Sequence, residues 1–159
     1  MASTNHAAPN SIEEPETPFP ATTKRVIGTV KGVSTAVTTI SFASTILITI
    51  SQNDRVSHWV HVPTENTNPV ANGYHSIPDA VGDNDGLLPL TNLTATSLLG
   101  GRVPGHETIG QLYARQIASA ILTKTPNEKR PLVVGLGLAT AEPDRDVYFA
   151  IIDLVLQCL

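Results

Sequence analysis

Two glycines in the segment "LVVGLGLATAEPD" (132–144) have the spacing with which dinucleotide-binding enzymes approach a pyrophosphate. Gly135 and Gly137 follow an apolar strand and precede an acidic segment that can start a helix. A complete fingerprint has a third glycine where this chain has Thr140, and a second parallel strand after the helix. We expect no such strand, because the sequence stops at Leu159, directly after that helix. The pair therefore predicts a close approach of a helix to the sheet rather than a nucleotide site.

Two further patterns have the residue types of a metal site. His58 and His61 flank "WV" in an apolar segment, and side chains three positions apart on a strand point to opposite faces of the sheet. Asp83–Gly86 ("DNDG") is similar to the start of a calcium loop, but the glutamate that closes such a loop is missing. We therefore expect no metal ion.

The remaining reactive side chains lie in unreactive settings. Cys158 shares the apolar face of a helix with Leu154 and Val155, and burial raises the pKa of a thiol and makes it inert. His106 and Glu107 precede another helix, where such a pair is typical of a solvated helix start. No serine, threonine or lysine lies in a nucleophile motif. The sequence thus predicts a protein without catalytic residues and without a cofactor.

Length and composition indicate one globular domain. The chain has 159 residues, of which 41% are hydrophobic and 15% charged. It shows no signal peptide, no apolar run near the ~20 residues of a membrane helix, and a single cysteine. We expect a soluble protein of the cytoplasm, with the nucleus as a second compartment. Outside two acidic segments the charges are nearly balanced and unclustered, so we expect no nucleic acid and no membrane as a partner.

Those two segments, residues 1–23 and 63–89, contain no lysine or arginine. They hold seven of the fourteen acidic residues and eight of the twelve prolines. Such segments cannot bury enough apolar surface to offset the entropy lost on ordering. The sequence therefore predicts a disordered tail at 1–23 and one domain at 24–159, with a mobile loop at about 64–86.

The rest of the chain alternates between residues typical of strands and two helical patterns. The strands are predicted at Lys24–Val30, Val33–Phe42, Thr45–Ser51, Val56–Val62, Leu90–Leu99 and Leu132–Leu138. The helices are predicted in "HETIGQLYARQIASAILTK" (106–124) and "EPDRDVYFAIIDLVLQCL" (142–159). The order β-β-β-β-β-α-β-α indicates an α+β domain with a six-stranded, mostly antiparallel sheet and two helices.

The predicted sheet has apolar side chains on both faces. On the third strand Ile46, Ile48 and Ile50 point to one face, and Leu47 and Thr49 point to the other. The sixth strand is also apolar on both sides. Two helices can cover only one face of six strands, so either the sheet curls on itself or a second chain covers it. We favour a partner chain.

With this element order, the blocks "TILITISQNDRVSHWVHV", "SLLGG", "RPLVVGLGL" and "VLQCL" resemble the proteasome assembly chaperone 3 family. The resemblance covers Lys24–Val62 and Leu90–Leu159. It implies a six-stranded antiparallel sheet with two helices, and a dimer with a chaperone 4-type partner of similar fold. It also implies that the dimer binds an α-type proteasome subunit, guides formation of the 20S α-ring and leaves as β-type subunits join. Neither catalysis nor a cofactor is implied.

Two groups of residues are candidates for partner contacts, one on the third strand and one in the polar turn after it. They are Ile46, Ile48, Ile50, Asn53, Asp54 and Arg55. The sequence leaves open which sheet face meets the partner, and whether the partner is a second copy or a different chain. The alternative function is a small α+β regulatory or trafficking scaffold that also forms a dimer. A nucleotide-dependent enzyme is favoured only by the glycine pair.

Overall fold

The computed structural model describes residues 21–65, 92–100, 104–140 and 144–159. Its strands are β1 (Thr22–Val30), β2 (Val33–Ser41), β3 (Ile46–Gln52), β4 (His58–Val62), β5 (Thr96–Leu99) and β6 (Leu132–Gly137). The helices are α1 (His106–Lys124), which lies between β5 and β6 in the chain, and α2 (Arg145–Cys158). The predicted order of elements is confirmed. The predicted tail lies outside the described residues up to residue 20, and the predicted loop lies outside them from residue 66 onward.

The six strands form one sheet in the order β1-β2-β3-β6-β4-β5. All neighbours are antiparallel except β3 and β6, which run parallel in the centre of the sheet. The predicted α+β class is confirmed, with a sheet that is mixed rather than purely antiparallel. Because β6 inserts between β3 and β4, these two strands are consecutive in the chain but not neighbours in the sheet.

Two tight turns follow from residues that accept a left-handed backbone. Lys31 (φ 47°) and Gly32 (φ 80°) join β1 to β2, which is the geometry of a two-residue type I′ hairpin turn. Asn53 and Asp54, at φ 54° and 55°, form the polar turn after β3. Asparagine and aspartate tolerate this conformation better than other side chains do. Both turns lie in the gaps that the predicted strands leave between them.

Both helices pack on one face of the sheet. Helix α1 lies on β4, β5 and β6, and α2 lies on β1 and β2. The two helices contact each other through Tyr113 and Tyr148, whose ring centroids are 4.9 Å apart. The core between the layers consists of fully buried aliphatic side chains, among them Val37, Ile48, Ile50, Val60, Leu132, Val134, Ile117 and Ile151. Burial of this layer is the main source of stability for the fold.

The ends of the elements differ from the prediction in a few places. Strand β5 begins at Thr96, within the predicted strand Leu90–Leu99, whose first two residues lie outside the described residues, and it pairs only with the short strand β4. Helix α2 begins after Asp144, whose carboxylate accepts hydrogen bonds from the backbone N–H groups of Asp146 (2.9 Å) and Val147 (3.2 Å). This is the N-cap arrangement. Helix α1 has Glu107 in its first turn and Lys124 in its last turn, charges that are favourable at these two ends of a helix.

Candidate protein interaction surface

The sheet face opposite the helices has apolar side chains that are only partly buried. Ile40 pairs with Leu47, and Leu47 pairs with Val133, so these three stand side by side on β2, β3 and β6. Trp59 on β4 stands in the next row of the same face, paired with Gly135. All four apolar side chains are of intermediate exposure. We call the surface formed by Ile40, Leu47, Val133 and Trp59 the open face.

Gly135 gives the indole of Trp59 its place on the open face. A Cβ atom at Gly135 would lie 2.8 Å from Cζ3 and 3.0 Å from Cη2 of Trp59, and 3.0 Å from Cγ1 of Val56. The six-membered ring of Trp59 therefore lies directly over the backbone of β6. Any larger residue at position 135 would push the ring off the strand.

Gly137 has a topological role on the same face. Its missing Cβ would lie 1.6 Å from the carbonyl oxygen of Arg55, in the connection from β3 to β4. That connection must cross the end of β6, because β6 lies between the two strands it joins. Ser57 N–H donates a hydrogen bond to Leu136 O at 2.9 Å and holds the crossing in place. Only glycine leaves room for the crossing.

The prediction that the glycine pair lets a helix approach the sheet is therefore wrong. Gly135 and Gly137 admit a tryptophan ring and a chain crossing, on the face that points away from both helices. The local sequence does contain the signal for a close approach. Which group lies against the two glycines depends on the insertion of β6 between β3 and β4. No local sequence pattern predicts this pairing.

The structure separates the two groups of predicted contact residues. Ile46, Ile48 and Ile50 lie beneath the helices with 6%, 0% and 0% of their surface exposed. A partner that docks on the folded chain does not reach them. Asn53–Arg55, by contrast, is exposed at the border of the open face, because the Arg55 backbone crosses β6 there. A contact between this turn and a partner stays a prediction.

Sequence reasoning did not select the residues of the open face itself. The sequence predicts Leu47 on the side opposite the isoleucines, which the structure confirms. The available signal was the alternation along β3 and β4, which places Leu47 and Trp59 opposite the core residues Ile48 and Val60.

The open face has little charge. Along the six described strands, Arg25 on β1 is the one charged side chain that the register places on this face, opposite Thr38. It lies at the edge of the sheet, two strands away from Leu47. The centre of the face is therefore suited to an apolar contact and not to a phosphate or a carboxylate.

His58 and His61 lie on opposite faces, as predicted. His58 is 2% exposed beneath α1, and its Nε2 is 3.1 Å from Ser97 Oγ. Burial lowers the pKa of His58, and the nearby charge of Glu107 acts in the opposite direction. His61 pairs with Val133 on the open face. Among the described residues no group of three His, Cys, Asp or Glu side chains could hold a metal ion, and Asp83–Gly86 lies outside them.

The other reactive groups are also in unreactive settings. Cys158 is buried, with its Sγ 3.6 Å from Val37 O, and burial raises the pKa of the thiol as predicted. Glu107 is exposed and accepts a hydrogen bond from Gln111 Nε2 at 3.3 Å, one helical turn away. His106 is half-buried. Neither residue forms an acid–base pair with a nucleophile in the described part of the chain.

A groove of about 270 Å³ lies on the helix side, between the first turns of α1 and α2. Its walls are mainly apolar and include Ile109, Leu112, Tyr113, Val147 and Tyr148. Burial raises the pKa of Tyr113, and it raises that of Tyr148 to about 12, so neither hydroxyl is a base near neutral pH.

Within the described ranges, no helix is long and apolar enough to cross a membrane.

Comparison with known proteins agrees with this architecture. The family model of proteasome assembly chaperone 3 matches residues 48–155, which is more than half of the chain. The chain belongs to the proteasome assembly chaperone 3 family. The resemblance seen in the sequence is thereby confirmed. The matched range begins in β3, so the β1–β2 hairpin lies outside it.

Proteasome assembly chaperones are also found among solved structures of similar fold. One chain of the crystal structure of a novel chaperone complex for yeast 20S proteasome assembly superposes with a TM-score of 0.52. It is 17% identical in sequence, and the match covers 86% of this chain and 95% of that one. At this identity the likeness shows the fold. A comparison with curated protein sequences found no match.

Proposed function

We propose that this protein acts without catalysis, as one subunit of a small chaperone dimer that binds an α-type proteasome subunit and guides formation of the 20S α-ring. The family supports a role in proteasome assembly. The observation that carries the proposal is the open face, which is apolar, partly exposed and not covered by either helix of the chain.

The open face argues for a dimer. The sheet ends in β1 on one side and β5 on the other, and these strands do not pair, so the sheet does not curl closed on itself. Neighbouring strands are about 4.8 Å apart, so the apolar patch on β2, β3, β6 and β4, which spans two rows, extends over roughly 15 Å across the sheet. A stable interface buries about 800 Å² per partner, and a patch of this width can form its core.

The second subunit is a chaperone 4-type protein of similar fold. The dimer binds an α-type subunit by surfaces that the sheet contact leaves free, and it leaves when β-type subunits cover the same region of the ring. Because the α-type subunits are similar to one another, a dimer that fits one of them favours the correct order in the ring. The protein works where proteasomes are assembled, in the cytoplasm and the nucleus.

The turn Asn53–Arg55 is our candidate for contact with the α-type subunit. Its two left-handed residues and the Arg55 carbonyl packed over Gly137 hold it in one conformation. A turn that is ordered before binding loses little entropy when it binds. It lies at the border of the open face, where it stays accessible beside a partner sheet.

A native pull-down of the tagged chain, followed by mass spectrometry, tests the proposal. We expect α-type proteasome subunits and one second small chaperone, with few β-type subunits. Complete proteasomes, or no proteasome subunits, would contradict the proposal. Recovery of GTPases or membrane-coat proteins instead would favour a regulatory or trafficking scaffold.

A further inference from the structure

Trp59 is the only tryptophan of the chain, and contacts on the open face fix the position of its ring. Its ring lies over Gly135 and beside Val56, so the glycine and the valine together form its seat. On the other side its strand partner Leu99 on β5 is 67% exposed. Apolar surface therefore continues past Trp59 to the edge of the sheet.

The chemistry of the open face restricts what can bind there. Its centre has no charged side chain, so an acidic peptide or a nucleic acid would find no complementary charge. Two grooves of about 270 Å³, the one between α1 and α2 and a second one beside Thr39, Ile46 and Ile121, lie on the other side of the sheet. The open face itself is a sheet surface of partly exposed apolar side chains on β2, β3, β6 and β4. A flat aliphatic surface, such as the face of another sheet, fits this geometry.

Trp59 has the residue type best suited to anchor such a contact. Its ring is of intermediate exposure, since one side lies on Gly135, and a partner can cover the side that is left exposed. Tryptophan is also enriched among the few residues that dominate binding. Because Gly135 and Val56 already hold the ring, little side-chain entropy is lost when a partner covers it.

From these observations we infer that Trp59, seated on Gly135, is the anchor residue on which the sheet of the second small subunit packs. The inference rests on the proposed dimer through the open face and adds to it the anchor and the kind of surface the partner presents. The partner places aliphatic side chains opposite Trp59 and no charged residue there.

The test compares variants of the tagged full-length chain in its own cells, with the amount of co-purified second small subunit as the readout. Trp59→Ala removes the anchor, and Leu47→Asp places a charge on the same face. Leu156→Asp is the matched control, because Leu156 is 50% exposed on the outer side of α2. A cooperative thermal unfolding transition, measured for each purified variant, checks that the variant is folded. We expect Trp59→Ala and Leu47→Asp to lower recovery of the second subunit by about tenfold or more, and the control to leave it unchanged.

Other outcomes separate this inference from the proposed function. If folded Trp59→Ala keeps the second subunit at the wild-type level, Trp59 is not the anchor, while the chaperone role stands. If only Leu156→Asp loses it, the partner packs on the helix layer and the inference is wrong. If the wild-type chain recovers α-type subunits without any second small subunit, the inference fails and the binding of α-type subunits stands. If it recovers neither, both fail.

Discussion

The imidazole of His58 lies directly against Gly110 of α1. A Cβ atom at Gly110 would be 2.4 Å from both Nδ1 and Cε1 of the ring. The ring is 2% exposed, and its Nε2 is 3.1 Å from Ser97 Oγ on β5. One side chain of β4 thus connects the edge strand β5 and the first turns of α1. The helix can lie this close to the sheet only because residue 110 has no side chain.

Gly110→Ala should therefore destabilise the fold, although the same change usually stabilises a helix. In an exposed helix interior, alanine is favoured over glycine by about 1 kcal/mol. Here the new methyl group overlaps the imidazole, and overpacking of this kind costs about 1–3 kcal/mol. We expect a net loss of up to about 2 kcal/mol in the free energy of unfolding, measured by urea denaturation.

A double-mutant cycle supplies the control. In a His58→Ala background the added methyl group has free space, so Gly110→Ala should become neutral or stabilising. If Gly110→Ala stabilises the wild-type chain, the contact between His58 and α1 is not as close as described.

Stability should also depend on the charge of His58. Burial lowers the pKa of His58 in the folded chain below its ordinary value of 6.5. Between the folded and unfolded pKa values the unfolded chain binds more protons, so stability rises with pH. The contribution is fully present above pH 6.5 and is lost as the pH falls below it. Glu107 and His106 of α1 face the ring with opposite effects on its pKa, and Ser97 contacts it from β5.

The measurement is the urea midpoint at pH 8 and at pH 5.5, for the wild-type chain and for His58→Gln. We expect a lower midpoint at pH 5.5 in the wild type and a smaller drop in the variant. The variant differs from the wild type only at residue 58, so the difference between the two drops isolates His58. Equal drops would show that His58 does not titrate in this range.

The Gly135–Gly137 segment leads to a prediction about ligands. In a nucleotide site the glycine backbone must be free to approach the phosphates. Here Trp59 covers Gly135, and the Arg55 backbone covers Gly137. We therefore expect ADP, NAD and FAD to leave the thermal midpoint unchanged at millimolar concentration. A saturable rise in the thermal midpoint with any of these nucleotides would favour a nucleotide-dependent function. It would also require the β3–β4 connection to move.

How far the sequence predicts this molecule depends on whether a feature is local. Strand alternation and the amphipathic helices are local patterns, and both are found where the sequence predicts them. The separation of Ile48 from Leu47 was also correct, because the strand period of two fixes it. The sequence did not show that β6 pairs with β3, since a parallel pair between distant segments has no local signature.

That pairing decides the candidate site. With β6 in the centre of the sheet, the helices cover the isoleucines, and the connection after β3 has to cross to the open face. The predicted turn Asn53–Arg55 is therefore at the surface, while Ile46, Ile48 and Ile50 are inside. The aromatic ring lies over a glycine of the neighbouring strand, but that strand is far away in the chain, so only the pairing of Trp59 with Gly135 shows the contact.

Arg130 links the segment between α1 and β6 to the β2–β3 turn. Its Nη1 donates to Ser41 Oγ (2.7 Å) and to Phe42 O (2.8 Å), while Nε and Nη2 donate to the two carboxylate oxygens of Glu128 at 2.9 and 2.6 Å. A lysine has one nitrogen and cannot occupy both sides of this fork. Arg130→Lys should lower the free energy of unfolding by about 1 kcal/mol at pH 7, since the arginine is partly solvated.

At low pH, most of the difference in unfolding free energy between the wild type and Arg130→Lys should disappear. Hydrogen bonds from Arg130 lower the pKa of Glu128 to about 2 from an ordinary value of 4.5. A carboxylate with a lowered folded pKa contributes stability above pH 4.5 and loses it as the pH falls towards 2. Urea denaturation at pH 7 and pH 3 should therefore show a larger gap between wild type and Arg130→Lys at the higher pH. Lys129→Arg, an exposed change one residue away, should leave the stability unchanged at both pH values. An equal gap at pH 3 and pH 7 would mean that the bonds to Ser41 and Phe42, rather than the charge of Glu128, supply the contribution of Arg130.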